Sequence, residues 1–427
     1  MQLPLTYLTL LASAASFATC WTPAPSFGSD QAAAESLKIL TDASTDGSLQ
    51  KHLATKDVAT GKCTVQNAAV RREYSTLSND EKLDYTRAVQ CLMARPAITP
   101  ADKAPGARSR YDDIVATHIN QTRTIHRSGS FMAWHRHYVW TFEQALRNEC
   151  AYKGSVPYWS WAKSSQDPLN SPYLDGSEHS QGGNGEYEAH NCTTGLSSGL
   201  LCIEPGQGGE PFYAYGHSII HPMYTTSQDH HTNSPIPQGG CVKTGPYAGI
   251  MANLTATVPS WPGIPAKEPL SYAPRCIRHD ISAPLARKWS GDEHVVDLLR
   301  NPRYQTDIGA FQDRLQYTGN ATVGWYGLHQ FGHFLVNGDP AGDFFNSPNE
   351  PLFWLHHAMA DRVWWIWQNQ KPVERAFQVA GTRTMNNKPP SDDATVDDTF
   401  DMGYNGGEVV IKDLVSTIAG PYCYIYQ

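Results

Sequence analysis

The segment TIHRSGSFMAWHRHYVW sets His126, His135 and His137 among Phe, Met, Trp, Tyr and Val. Imidazoles in apolar sequence restrict a fold severely, because every buried ring needs a partner for its polar nitrogens. The pattern recurs along the chain. In YDDIVATHINQ, Tyr111, Ile114, Val115 and His118 stand at i, i+3, i+4 and i+7, which predicts a helix with His118 on its buried stripe. In VGWYGLHQFGHFLV, apolar nearly all round, His329 and His333 are one turn apart on one helical face. PLFWLHHAMADRVWWIWQ adds His356 and His357, with Asp361 one turn beyond His357. His135 and His137 point apart, because i and i+2 lie on different helix faces.

Two groups of three emerge: His118, His126 and His135, and His329, His333 and His357. Zinc, copper, iron and nickel all accept imidazole. Di-zinc hydrolases and di-iron bundle oxidases place carboxylates among their ligands. Here the acid nearest in register is Asp361, expected to accept a ring N–H rather than to bind metal. Six neutral imidazoles without a bridging carboxylate favour two copper ions. A rival run, GHSIIHPMYTTSQDHH, contains His217, His221, His230 and His231. Pro222 directly after His221, and the Gly-rich flanks, mark it as loop.

Around these segments the chain reads as one mainly α-helical domain with long loops and few short strands. Ser78, followed by acids, is an N-cap for a first helix. Residues 151–320 are rich in Gly, Pro, Ser and Asn, with short helical runs. Residues 1–20, apolar from Leu3 to Leu11 and then small, resemble a secretory signal. Residues 21–65, rich in Ala, Ser, Thr and Lys, read as a loosely attached N-terminal arm, and residues 66–427 as the main domain. Loss of Cys20 with the signal leaves eight of the nine cysteines, an even set expected to form four disulfides. Sequons at Asn120, Asn191, Asn253 and Asn320 suit the same extracellular compartment. A net charge of −8 offers no footprint for nucleic acid, and no later segment is apolar enough to span a membrane.

EPLFWLHHAMADRVWW resembles the D-P-x-F-[aromatic]-x-x-H-x-x-x-D signature of the tyrosinase/catechol oxidase family of type-3 copper proteins. FMAWHRHY resembles the family's other copper signature, VPYWSWA its P-Y-W-D-W run, and Tyr424 with Tyr426 its closing Y-x-Y motif. The resemblance covers roughly residues 66–427 and implies an antiparallel four-helix bundle around a dicopper site. It assigns His357 as the ligand of its pair, His135 as the ligand before Arg136, and an orienting role to Asp361; His137 becomes a packed supporting ring. Glu350 and Ser160 stand where the family has Asp, and neither change removes a ligand. Thr124 stands where fungal tyrosinases often carry a cysteine cross-linked to histidine, so no thioether is expected. The chain stops one residue after Tyr426, so no C-terminal plug domain is expected.

The implied activity is a secreted catechol oxidase, turning o-diphenols into o-quinones with dioxygen. A tyrosinase that also hydroxylates monophenols, an o-aminophenol oxidase, and a dioxygen carrier of the hemocyanin kind are the alternatives. Phe344, thirteen residues before His357, stands where family members gate the second copper. Asn320 and Gln330 could hold a water, but GNATVGWYGL (319–328) contains no acid to make it basic. Fast oxidation of catechols and slow attack on monophenols are therefore expected.

Overall fold

The computed structural model describes residues 27–56, 63–187, 193–194, 200–202, 212–213, 239–255, 268, 270–316 and 327–427. In chain order the helices are α1 (Phe27–Thr45), α2 (Ser48–Ala54), α3 (Asn79–Ala94), α4 (Arg110–Ile125), α5 (Phe131–Cys150) and α6 (Ala283–Trp289). They continue with α7 (Asp292–Arg300), α8 (Pro302–Gln305), α9 (Ile308–Gln316), α10 (Gly327–Val336), α11 (Leu352–Asn369) and α12 (Pro372–Arg375). Local chemistry starts α3 and α4. Ser78 and Glu81 cap α3 reciprocally, as do Ser109 and Asp112 for α4, so backbone donors at both helix starts are satisfied. Left-handed Ala151 (φ 57°) ends α5.

The centre of the molecule is α11. All of its residues are buried, including Trp354, Trp364, Trp365 and Trp367. α5 and α10 pack on it, and α4 packs on α5, so the four histidine-bearing helices are neighbours. The described strands are at most five residues long. One pairing matters for topology: Ala69–Arg71 runs parallel to Tyr424–Tyr426, and the Cys63–Cys423 disulfide staples the same two chain regions. Cys91–Cys150 and Cys241–Cys276 are also bonded; Cys192 lies outside the described residues. Asn120 is exposed on α4, and Asn253 donates its amide to Asp112 at 2.9 Å; Asn191 and Asn320 are outside the described residues.

Within the segment expected as a loose arm, the described helix α1 is packed. Ala32, Ser36 and Leu40, spaced at i, i+4 and i+8 on α1, are buried. Ser36 Oγ donates to the Ile366 carbonyl of α11 at 3.1 Å, and Arg362 reaches Asp30 at 2.8 Å. Small residues made this face look polar in composition, although they let two helices approach closely.

Candidate metal centre

The first histidine group comes from α4 and α5. His118 Nδ1 donates to the Phe345 carbonyl at 2.8 Å. His126, the residue that ends α4, turns back to the Thr122 carbonyl at 2.9 Å, and His135 to the Phe131 carbonyl at 2.8 Å. A carbonyl can only accept, so all three rings carry their proton on Nδ1 and present a bare Nε2 lone pair. The Nε2 atoms of His118 and His135 are buried with no partner. The donor atoms of the three rings lie within 4.8 Å of one another.

The second group comes from α10 and α11. His329 Nε2 lies 3.3 Å from both His333 Nε2 and His357 Nε2. Three ring nitrogens converging on one point leave lone pairs unsatisfied, and a cation among them resolves this. The groups face each other. His135 and His357 stack with centroids 4.5 Å apart, while Phe131 sits 4.6 Å from His135 and 4.8 Å from His329. Burial first, and mutual repulsion second, hold the His118, His135, His329, His333 and His357 rings well below the ordinary histidine range. His126 is pushed down to about 4, mainly by burial. The six rings are neutral at physiological pH, the form that binds metal.

His356 also falls within 4.8 Å of the second group. Hydrogen bonding sets it apart. Trp161 Nε1 donates to its Nδ1 at 3.0 Å, and its own Nε2–H donates to the His329 carbonyl at 2.8 Å. Neither nitrogen has a lone pair left for a metal. The ring instead locks α10 to α11, and Gly332 makes room for it: a Cβ there would lie 2.2 Å from His356 Cε1. Gly332→Ala is expected to destabilise the protein by about 1–3 kcal/mol through overpacking. Differential scanning fluorimetry checks this; an unchanged melting temperature would remove the packing argument.

The structure corrects two expectations. Asp361 takes no ring N–H. Its Oδ1 accepts Arg136 Nε at 2.6 Å, and its Oδ2 accepts the Tyr424 and Tyr426 hydroxyls at 2.7 and 2.6 Å, with Arg71 at 3.5 Å. His357 Nδ1 has no hydrogen-bond partner. Two buried guanidinium groups attract the carboxylate more strongly than a neutral ring could. His137 likewise belongs elsewhere: it stacks on Trp140 and bonds the Tyr422 hydroxyl at 2.9 Å, on the face of α5 away from His135.

Glu350, the departure from the family pattern, has a partner that was not read from sequence. Its carboxylate meets buried His279 Nε2 at 2.7 Å, while His279 Nδ1 donates to the Gly183 carbonyl at 2.8 Å. Burial opposes a charge on His279, but the Glu350 charge and hydrogen bond outweigh it and raise the ring above 6.5. A raised folded pKa gives stability that is complete below the unfolded value and is lost as pH rises through the folded one. Melting temperature is therefore expected to fall as pH climbs above about 6.5, and His279→Gln should flatten that fall. Parallel curves for the two proteins would refute it.

A cleft opens at the junction of the two groups, lined by His126, His329, His333, Gln330, Phe344 and Asp343 among others. Half-buried Phe344 lies over the first group, its ring 4.6 Å from His126. Gln330 is 4% exposed, with Oε1 unpartnered. Asn320 and the loop histidines His217, His221, His230 and His231 lie outside the described residues. Sequence reasoning missed Asp343, a buried acid at the cleft; its one signal was an acid preceding two phenylalanines.

Fold and donor set define a helical protein with two clusters of imidazoles that could each hold a metal ion. A family model described as the common central domain of tyrosinase matches residues 108–370. Tyrosinase P of Aspergillus terreus is 34% identical over 362 residues, covering 84% of this chain and 91% of that protein. The N-acetyl-6-hydroxytryptophan oxidase ivoB of Emericella nidulans is 32% identical, with coverage of 86% and 94%. The structure of a polyphenol oxidase variant from Thermothelomyces thermophila superposes with a TM-score of 0.77 at 34% identity, covering 94% and 98%. The chain belongs to the tyrosinase family of dicopper oxidases.

Proposed function

We propose that this protein is a secreted catechol oxidase, with residues 66–427 as its oxidase domain. The neighbouring helices α4, α5, α10 and α11 act as an antiparallel bundle around two copper ions. His118, His126 and His135 hold one copper; His329, His333 and His357 hold the other. The observation that carries the reading is the pair of facing triads, neutral and buried apart from half-buried His333, with ring nitrogens converging in each. Two coppers held there supply one electron change each, matching the two-electron oxidation of an o-diphenol by dioxygen. The carbonyls of Phe345, Thr122 and Phe131 fix the ring tautomers. Phe131 and Phe353, which stacks on His357 at 4.1 Å, exclude water from the rings. The disulfides suit secretion, and no described helix is long and apolar enough to cross a membrane.

Oxygen uptake by copper-loaded protein, on a panel of catechols, monophenols and o-aminophenols, tests the reading. Steady consumption with catechol and slow, lag-prone attack on tyramine are expected. Oxygen binding without turnover would make the protein a carrier instead. Phe344 forms part of the cleft wall, so Phe344→Ala should raise kcat/KM for bulky diphenols more than for catechol. Equal changes for both would show that the ring does not select.

A further inference from the structure

Two buried acceptor oxygens belong to residues lining the cleft and have no protein donor: Gln330 Oε1 and Asp343 Oδ2. Asp343 is 1% exposed. Its Oδ1 accepts the Phe345 and Asn346 amides at 2.8 and 3.0 Å. That oxygen holds the turn bearing Phe344 and the Phe345 carbonyl to which His118 donates. Turn capping accounts for one carboxylate oxygen and leaves the other unexplained. An unpaired oxygen in such a place signals a donor that the protein does not supply.

We propose that Asp343 Oδ2 accepts the first hydroxyl proton of an o-diphenol bound in the cleft, an inference that rests on the oxidase reading above. The O–H bond breaks heterolytically, its electron pair stays on the phenolate oxygen, and the proton forms the carboxylic acid of Asp343. Dioxygen is the oxidant, and its reduction to water takes the proton up again. Burial, then the charge of neighbouring Asp339, raise Asp343 to about 7, with the Phe345 and Asn346 amides and Arg275 opposing. Arg275 is itself paired with Asp339, and Arg127, His126, His329 and His333 complete the titratable lining of the cleft. A base poised near neutrality is efficient at the pH where the enzyme works.

Asp343→Asn separates the two roles, because the amide oxygen can still cap the turn but is no longer basic. Catechol is compared with 4-nitrocatechol, whose first hydroxyl is largely ionised at pH 8 and needs no base. With copper content equal, kcat/KM should fall about 100-fold for catechol and far less for 4-nitrocatechol. Equal losses on both substrates would reduce Asp343 to a turn cap and overturn the proposal alone. If the variant does not fold, the wild type still decides. A solvent deuterium isotope effect with catechol that vanishes with 4-nitrocatechol supports proton transfer, and its absence with catechol overturns it. A wild type that binds copper yet oxidises neither substrate would overturn the oxidase reading itself.

Discussion

His357→Ala should yield a folded protein that retains at most one copper and loses catechol oxidation by about three orders of magnitude or more, since metal charge stabilisation amounts to several kcal/mol. The ring projects from the fully buried α11 into the point where His329 and His333 converge. Two imidazoles and a void cannot complete the second site. The contrast with His356→Ala makes the test sharp. That neighbour has both nitrogens engaged, by Trp161 and by the His329 carbonyl. Its removal should cost about 2–4 kcal/mol of stability through the cavity and two unpaired groups, while two coppers still bind. Elemental analysis and thermal melts on both variants suffice. Copper loss from His356→Ala equal to that from His357→Ala would reassign the ligand.

Asp361→Ala should be the most destabilising of these changes, by about 3–5 kcal/mol, because it strips a buried carboxylate from its cations. Arg71 and Arg136 have fully buried side chains, and both reach Asp361. Arg71 keeps Glu143 at 3.1 Å, and Arg136 keeps Gln368 and the Val415 carbonyl at 2.9 Å each, which limits the loss. The two tyrosine hydroxyls of the C-terminal strand lose their acceptor, so that strand should loosen first. Limited proteolysis should clip the C-terminus of Asp361→Ala well before that of the wild type. Asp361→Asn keeps an acceptor and should be milder, with both coppers retained. Copper loss from Asp361→Asn at unchanged melting temperature would restore the orienting role.

The histidine groups were legible because their signal is local. His329 and His333 share a face through the 3.6-residue period, and His118 joins an apolar stripe by the same rule. The helix start at Ser78 is local too, closed by an acid three residues on. What escaped depends on partners far away in the chain. Asp361 looked like a histidine's partner because His357 is one turn away in sequence. Its actual partners, Arg71 and Tyr426, stand 290 and 65 residues distant.

The choice between His356 and His357 shows the division most clearly. Sequence by itself determined that two adjacent rings sit on a buried helix, and a family pattern pointed to the second. Which nitrogens are free was decided by Trp161, 195 residues away, whose N–H occupies one lone pair of His356. The same holds for Asp343 at the cleft and for the small-residue face of α1 on α11. Periodicity along one chain segment dictates which side chains are buried together. Whether a buried polar atom is satisfied depends on what tertiary packing brings within about 3 Å of it, and no spacing rule encodes that distance.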